Sequence, residues 1–331
     1  MCVTSTQVVK RLCSLRLARG YTGRQMIVRI DGQTHGGHDY ALGNSLAANI
    51  DRDNVGDRLS LVKHASAVIP LLVDETLYFI PWNKAEVFEK LCREHGHEIA
   101  PILMNFIDYS IGCISPSSEY IHAIRRICDE HGMVFIIDEI PPSVRTGMPG
   151  GHGYYGVMPG LCLFGKALTN GVPVAVVAGK GKVVTKMMDP INPVVPGGTF
   201  FGNLLGCAAG IEALTITEEP FVFDLWLKRT AEFYFQVHTI FDETNFPAIE
   251  QGLGCTFGIY GGTREPVSNY HHIIERTNFA LRKAHVLKCI EKGLPFHTNF
   301  TISAQHDEKG LAQSLDILHD CVFEIKSAKV S

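Results

Sequence analysis

No two of the ten cysteines in this chain form a C-x-x-C pair, and no secretory signal precedes them. A disulfide framework is therefore excluded, and the singly scattered thiols read as reduced core and surface cysteines of a cytoplasmic protein. Long apolar runs are missing too. AVIPLLV and APILM, among the longest, are far too short to span a bilayer. No stretch combines dense Lys and Arg with aromatic residues, and the formal net charge is −4, so the electrostatic footprint of a nucleic-acid binder is absent. Internal repeats and low-complexity tracts are lacking. A full G-x-x-x-x-G-K-[ST] phosphate loop is absent as well, and GKGKVV, which imitates part of it, is assigned to a turn. His35 and His38 stand three apart and His271 and His272 are adjacent, but no carboxylate or cysteine completes a familiar ligand spacing around them. No metal is expected.

What is present is 331 residues with 46% hydrophobic content, enough for one large core and a smaller second one. MIVRI, APILMNFI, MVFIID, LCLFG and PVAVVAG are short, apolar and bounded by Gly, Pro or Asp, the pattern of buried strands. Between two of them SSEYIHAIRRICDEHG places Ile121, Ile124 and Cys128 on one helical face, with a serine at its start and Gly132 at its stop. Strands separated by helical patterns imply parallel βαβ units, hence a doubly wound α/β sheet. From about residue 216 the pattern changes. EEPFVFDLWLKRTAEFYFQVHTIF is a long amphipathic helix, and the later segments alternate short strands with helices. The expected division is a large domain over residues 1–215 and a small α+β domain over 216–331.

Two residues carry the chemistry. Asp138 ends MVFIID and Lys166 follows LCLFG, so each stands at the carboxyl end of a strand, where open α/β sheets keep their sites. Singly, each is most simply a helix-capping aspartate and a solvated lysine. Together they suit a pyridoxal phosphate enzyme, in which a lysine forms the Schiff base and a carboxylate keeps the pyridine nitrogen protonated.

The surrounding strings FIIDEIPPSVRTGMPGGHGYYGVMPGLCLFGKALTNGVPVAVVAGKGKVV and VVPGGTFFGNLLGCAAGIEAL closely resemble the class-III aminotransferases of fold type I, nearest the glutamate-1-semialdehyde aminomutase branch. Matching positions are Asp138, Glu139, Arg145, Tyr155, Gly165, Lys166, Gly198, Thr199, Gly202 and Asn203. The likeness extends to RLARGYTGR, DGQTHGGHDYALGNS and GLPFHTNFTISAQHDEKGLAQSLDILHDC, and so spans nearly the whole chain. It implies a fold-type I architecture, pyridoxal 5'-phosphate as cofactor, an amino donor and a carbonyl acceptor as substrates, and a homodimer.

The resemblance assigns roles residue by residue. Lys166 is the Schiff-base lysine and the acid/base, Asp138 pairs with the pyridine nitrogen, Ile140 presses on one face of the ring, and His35 sits beside the cofactor. Gly198 and Thr199 open a turn whose threonine reaches the phosphate of the neighbouring subunit. Three positions depart from the pattern. The ring-stacking aromatic before HG is Thr34, the Glu-Pro after the APILM strand is Asn105 and Phe106, and the Ser-Gly-Thr phosphate cup falls on Thr6, Gln7 and Val8. Thr301 also stands near where aminomutases of the branch carry a glutamate. Relative to the family, a long N-terminal segment is expected to be missing. The first thirty residues hold six Lys or Arg and no acid, as a mitochondrial transit peptide does, but the match of RLARGYTGR to a family helix favours a structural role. The leading expectation is amino-group transfer; the alternatives are an aminomutase and a catalytically degraded relative that serves as a scaffold.

Overall fold

The computed structural model describes residues 2–4, 7–44, 66–109, 112–219, 221–296 and 299–330. The chain divides into two compact units, Met1–Asp108 with Pro116–Ile216, and Tyr109–Ser115 with Thr217–Ser331. The longer elements of the first unit are β1 (Cys2–Thr4), α1 (Gln7–Thr22), β2 (Met26–Ile30), β3 (Leu77–Ile80), α2 (Ala85–His95), β4 (Ile99–Asn105), α3 (Ser118–Glu130), β5 (Val134–Asp138), β6 (Leu161–Phe164), β7 (Ala175–Gly179) and α4 (Leu204–Glu218). Its seven strands lie in the order β1-β7-β6-β5-β4-β2-β3.

From β3 to β6 the neighbours are parallel, as the alternation of strands and helices requires. β7 and β1 depart from this: β7 runs antiparallel to β6, and β1 antiparallel to β7. Connection length explains the first reversal. Only residues 165–174 join β6 to β7, whereas a parallel return needs a crossover of a dozen residues or more. β3, a four-residue LYFI run, has no place among the strands expected from sequence, being too short to show a period.

The sheet alternation decides what faces α1. Val134 and Ile136 of β5 and Leu161 and Leu163 of β6 share an apolar cluster with Cys13, Leu15, Leu17 and Ala18 of α1. Asp138 has the parity of Val134 and Ile136 and so emerges on that face. Along α1, Arg11, Leu15 and Ala18 are spaced i, i+4, i+7 and form one stripe, which carries Arg11 toward the ends of the strands.

α3 keeps the predicted face and caps. Ile121, Ile124 and Cys128 are buried, Ser117 accepts a hydrogen bond from the Tyr120 N–H at 3.1 Å, and Gly132 takes φ +65° just beyond the helix. Ser117→Ala is expected to cost about 1 kcal/mol, the usual loss for an N-cap. Urea unfolding checks this, with Ser117→Asp restoring the midpoint.

In the second unit, α5 (Val222–Glu243), α6 (Phe279–Glu291) and α7 (Glu308–Val330) accompany an antiparallel sheet of β8 (Ala248–Leu253), β9 (Thr256–Gly261) and β10 (Asn299–Thr301) in the order β10-β9-β8. Phe233, Phe241, Phe257 and Phe300 fill its core. α5 starts later than the expected span because Phe221, with φ +73°, lies outside helical geometry. Thr301 pairs with Thr256 across β10 and β9, their hydroxyls 3.2 Å apart. Among the described residues no helix is long and apolar enough to cross a membrane.

Candidate active site

β4, β5 and β6 end side by side and deliver three of the expected residues together. Asn105 is the register partner of Asp138, and Asp138 of Leu163, three residues before Lys166. Gln33 fixes the first of these strand ends: its Oε1 accepts from the Asn105 N–H at 2.8 Å, and its Nε2 donates to the Asn105 carbonyl at 3.4 Å. Gln33 precedes Thr34, which is half-buried, and His35, which is fully buried.

Asp138 is fully buried and its carboxylate has three donors. Arg11 Nε donates to Oδ2 at 2.5 Å and His35 Nδ1 lies 2.8 Å from the same oxygen, while the Ile140 N–H donates to Oδ1 at 3.1 Å. Burial alone would raise the Asp138 pKa. The Arg11 charge and the His35 and Arg11 hydrogen bonds override it and hold the carboxyl well below the usual range. Ile140, buried in the apolar cluster, is thereby tied to the carboxylate through its backbone.

Burial lowers the His35 pKa to about 4, against the favourable hydrogen bond that its ring makes to Asp138. The ring is therefore neutral at pH 7, and since the carboxylate only accepts, Nδ1 carries the proton. Nε2 is then a buried acceptor that has no hydrogen-bond partner among the described residues. Because the folded value lies below the ordinary 6.5, the unfolded chain binds more protons between about 4 and 6.5. Stability is expected to fall as pH drops through that window. His35→Asn, which keeps a donor near Asp138 and removes the titration, should flatten part of the slope in urea midpoints taken between pH 7 and 4.

Lys166 opens a short 3-10 turn directly after Gly165, with φ +48°, a left-handed conformation costly for a side chain with a Cβ. Such strain is characteristic of functional sites. Its residue keeps solvent access, yet burial of the amine, followed by the Arg11 and Arg145 charges, lowers its pKa, with Asp138 and Asp108 opposing. Asn105 is buried with neither Oδ1 nor Nδ2 hydrogen-bonded among the described residues. Asn105 at the end of β4 and His35 in the loop after β2, hydrogen-bonded to Asp138, thus hold unsatisfied buried polar atoms around the carboxylate whose charge acts on the Lys166 amine, which is what a site shaped for a polar ligand looks like.

Gly198 and Thr199 are not brought to this group. They lie in an exposed turn with φ +50° at Gly197 and +154° at Gly198, closed by the Phe201 N–H on the Gly198 carbonyl at 3.2 Å. Phe201 nevertheless stacks under Lys10, whose Nζ is 4.8 Å from the ring centroid, so the turn adjoins the start of α1. Thr6 lies outside the described residues, as do the side chains of Gln7 and Val8.

Arg11 is the residue that sequence reading missed. Its signal was weak but present: a basic residue on the i, i+4, i+7 stripe that otherwise buries Leu15 and Ala18. Glu139 also has a use of its own, its Oε1 accepting from the His152 N–H at 2.7 Å and lying 3.2 Å from that ring's Nδ1. Ligand atoms of Glu139, His152 and Cys162 lie within 4.8 Å of one another, a grouping that no sequence spacing announces.

The family model described as aminotransferase class-III matches residues 5–318. A curated relative, the glutamate-1-semialdehyde 2,1-aminomutase of Methanobrevibacter smithii, is 31% identical over 314 residues, covering 93% of this chain and 70% of its own length. Among solved structures, an omega-transaminase from Sphaerobacter thermophilus superposes with TM-score 0.89 at 23% identity, over 98% of this chain and 74% of that one. A glutamate-1-semialdehyde aminomutase from Pseudomonas aeruginosa gives TM-score 0.83 at 20% identity, over 98% and 71%. At such identities the structural likeness establishes the shared fold.

Proposed function

This chain belongs to the class-III aminotransferase family, and from that premise we propose that it moves an amino group between an amino compound and a carbonyl compound with pyridoxal 5'-phosphate as cofactor. The observation that carries the reading is the delivery of Asn105, Asp138 and Lys166 by adjoining strands, with His35 hydrogen-bonded to Asp138 and unsatisfied buried polar atoms on Asn105 and His35. When bound, the cofactor supplies a carbonyl that captures amines and a ring that draws electrons from the amine-bearing carbon.

The chain's own groups do the rest. Lys166 holds the cofactor covalently and then moves the proton at the substrate's amine-bearing carbon, a task helped by a pKa lowered toward neutrality. Asp138 anchors the polar edge of the ring site with His35 orienting its carboxylate, and Ile140 offers an apolar face. Thr34 and Asn105 line the remaining edge, while Gly198 and Thr199 serve the phosphate of a partner subunit. The unit of Met1–Asp108 with Pro116–Ile216 serves as the cofactor domain, and that of Tyr109–Ser115 with Thr217–Ser331 as the small domain, where the sequence alone suggests a single boundary near residue 216. The nine cysteines whose side chains are described are free thiols, in keeping with a reducing, cytoplasmic setting.

An aminomutase is the second reading, favoured by the curated relative. Thr34 and Thr301, at positions where that branch has a tyrosine and a glutamate, favour transfer between two molecules. Incubation of the loaded protein with a panel of amino compounds separates them. Transfer requires an added carbonyl acceptor, whereas an aminomutase isomerises an amino-aldehyde without one.

A homodimer follows from the same reading. α4 is mostly apolar in its first two turns, and Leu204, Leu205 and Ile211 are 85%, 71% and 67% exposed, with Phe200 just before the helix at 64%. A patch of this kind on a lone subunit marks a contact surface. Sedimentation is expected to give twice the chain mass, and Leu205→Glu to shift it toward the monomer while weakening cofactor retention.

A further inference from the structure

The carboxylate that the family sets against the ring nitrogen already has a cation of its own. Arg11 reaches Asp138 Oδ2 at 2.5 Å with both side chains buried, 6% and 0% exposed. Arg29 and Lys10, two further cations of this region, are engaged elsewhere. Arg29 donates to the carbonyls of Tyr40, Gly43 and Gln33 at 3.0, 2.9 and 2.8 Å. Lys10 lies over the Phe201 ring. His35 is neutral and contributes a hydrogen bond without a charge.

One negative charge inside protein can stabilise one positive charge fully; a second cation at the same carboxylate meets the first at close range, with little water to screen them. Here the first cation is a guanidinium already seated 2.5 Å from the carboxylate oxygen. It is also held from behind, since Arg11 rides on the same stripe as Leu15 and Ala18, which anchor α1 to the sheet.

We infer that Arg11 keeps Asp138 as its own counter-ion, so that this protein binds pyridoxal phosphate with the ring nitrogen unprotonated and draws little affinity from that nitrogen. Arg11 is thus a positioning residue, acting through Asp138. The inference rests on the cofactor reading above and goes beyond it, because the family resemblance assigns Asp138 the opposite task.

The test compares binding of pyridoxal phosphate with 1-deazapyridoxal phosphate, in which a C–H replaces the ring nitrogen, by absorbance titration and borohydride capture. The wild-type chain is expected to hold the two within about threefold, because the nitrogen has no charge partner to lose. Arg11→Met frees the carboxylate and should favour pyridoxal phosphate by about tenfold or more, whereas Arg11→Lys, which keeps the charge, should behave as wild type. General loss of stability would weaken both compounds alike and leave their ratio unmoved. A wild-type preference of about tenfold or more for pyridoxal phosphate would overturn the proposal and leave the cofactor reading intact, and that measurement needs no variant to fold. Capture of neither compound by the wild-type protein would overturn both.

Discussion

Lys166→Ala is expected to abolish covalent retention of pyridoxal phosphate and to lower amino transfer by at least the roughly 10²- to 10⁴-fold that a positioned acid/base alone supplies. The lysine stands just past the end of β6 in a left-handed conformation, and burial of its amine, followed by the Arg11 and Arg145 charges, lowers its pKa. Burial and the two guanidinium charges favour the neutral amine, and the neutral amine is the nucleophile. Borohydride reduction followed by peptide mapping should find the pyridoxyl group on Lys166 in the wild-type chain and nowhere in the variant. Label on another lysine would remove Lys166 from the site.

Asp138→Asn has the second large effect, and the structure changes its nature. From sequence, with Asp138 read only as a partner for the ring, this substitution leaves the fold intact and removes activity. The buried pair with Arg11 makes it a stability variant as well. Removing one member of such a pair leaves an uncompensated charge and typically costs about 3–5 kcal/mol. Because the folded carboxyl titrates below its ordinary 3.8, the stability that it contributes is present above that value and is lost as pH falls below it. Urea unfolding of the cofactor-free protein should therefore show Asp138→Asn strongly destabilised at pH 7. The double variant Arg11→Met, Asp138→Leu should be less destabilised than Asp138→Asn alone. Equal stability of Asp138→Asn and wild type would mean that Arg11 finds water or another acceptor once its partner is gone.

Much of the fold was legible because it rests on local signals. The apolar runs around Ile102, Ile136 and Leu163 are buried strands, and the serine start and Ile121, Ile124, Cys128 face of α3 are as the sequence implies. The antiparallel β7 was not legible, because direction is set by the reach of the connection from β6, which hydrophobic pattern does not encode. In the site, Asp138 and Lys166 stood out since strand ends leave a polar residue after an apolar run. Arg11 did not, because its role depends on how α1 lies across β4, β5 and β7, a long-range fact about packing. Its basic character fitted equally well with an exposed helix or with a targeting segment. Asn105 was recognised by its departure from a family pattern, while its unsatisfied amide is visible only once the strand is buried.

The pairing of β1 with β7 matches Cys2 to Val177, residues far apart along the large unit's chain. During synthesis the first strand therefore waits for its partner while most of that unit is made, and α1 waits with it for the surface built by β4, β5 and β7. Closing a segment of that length costs on the order of 4–5 kcal/mol in chain entropy, which must be recovered all at once when the start of the chain docks. Until α1 docks, Arg11 remains hydrated and Asp138 lacks its counter-ion, so the site's electrostatics depend on that docking. A nascent chain stalled before residue 175 should accordingly leave its first twenty residues open to protease.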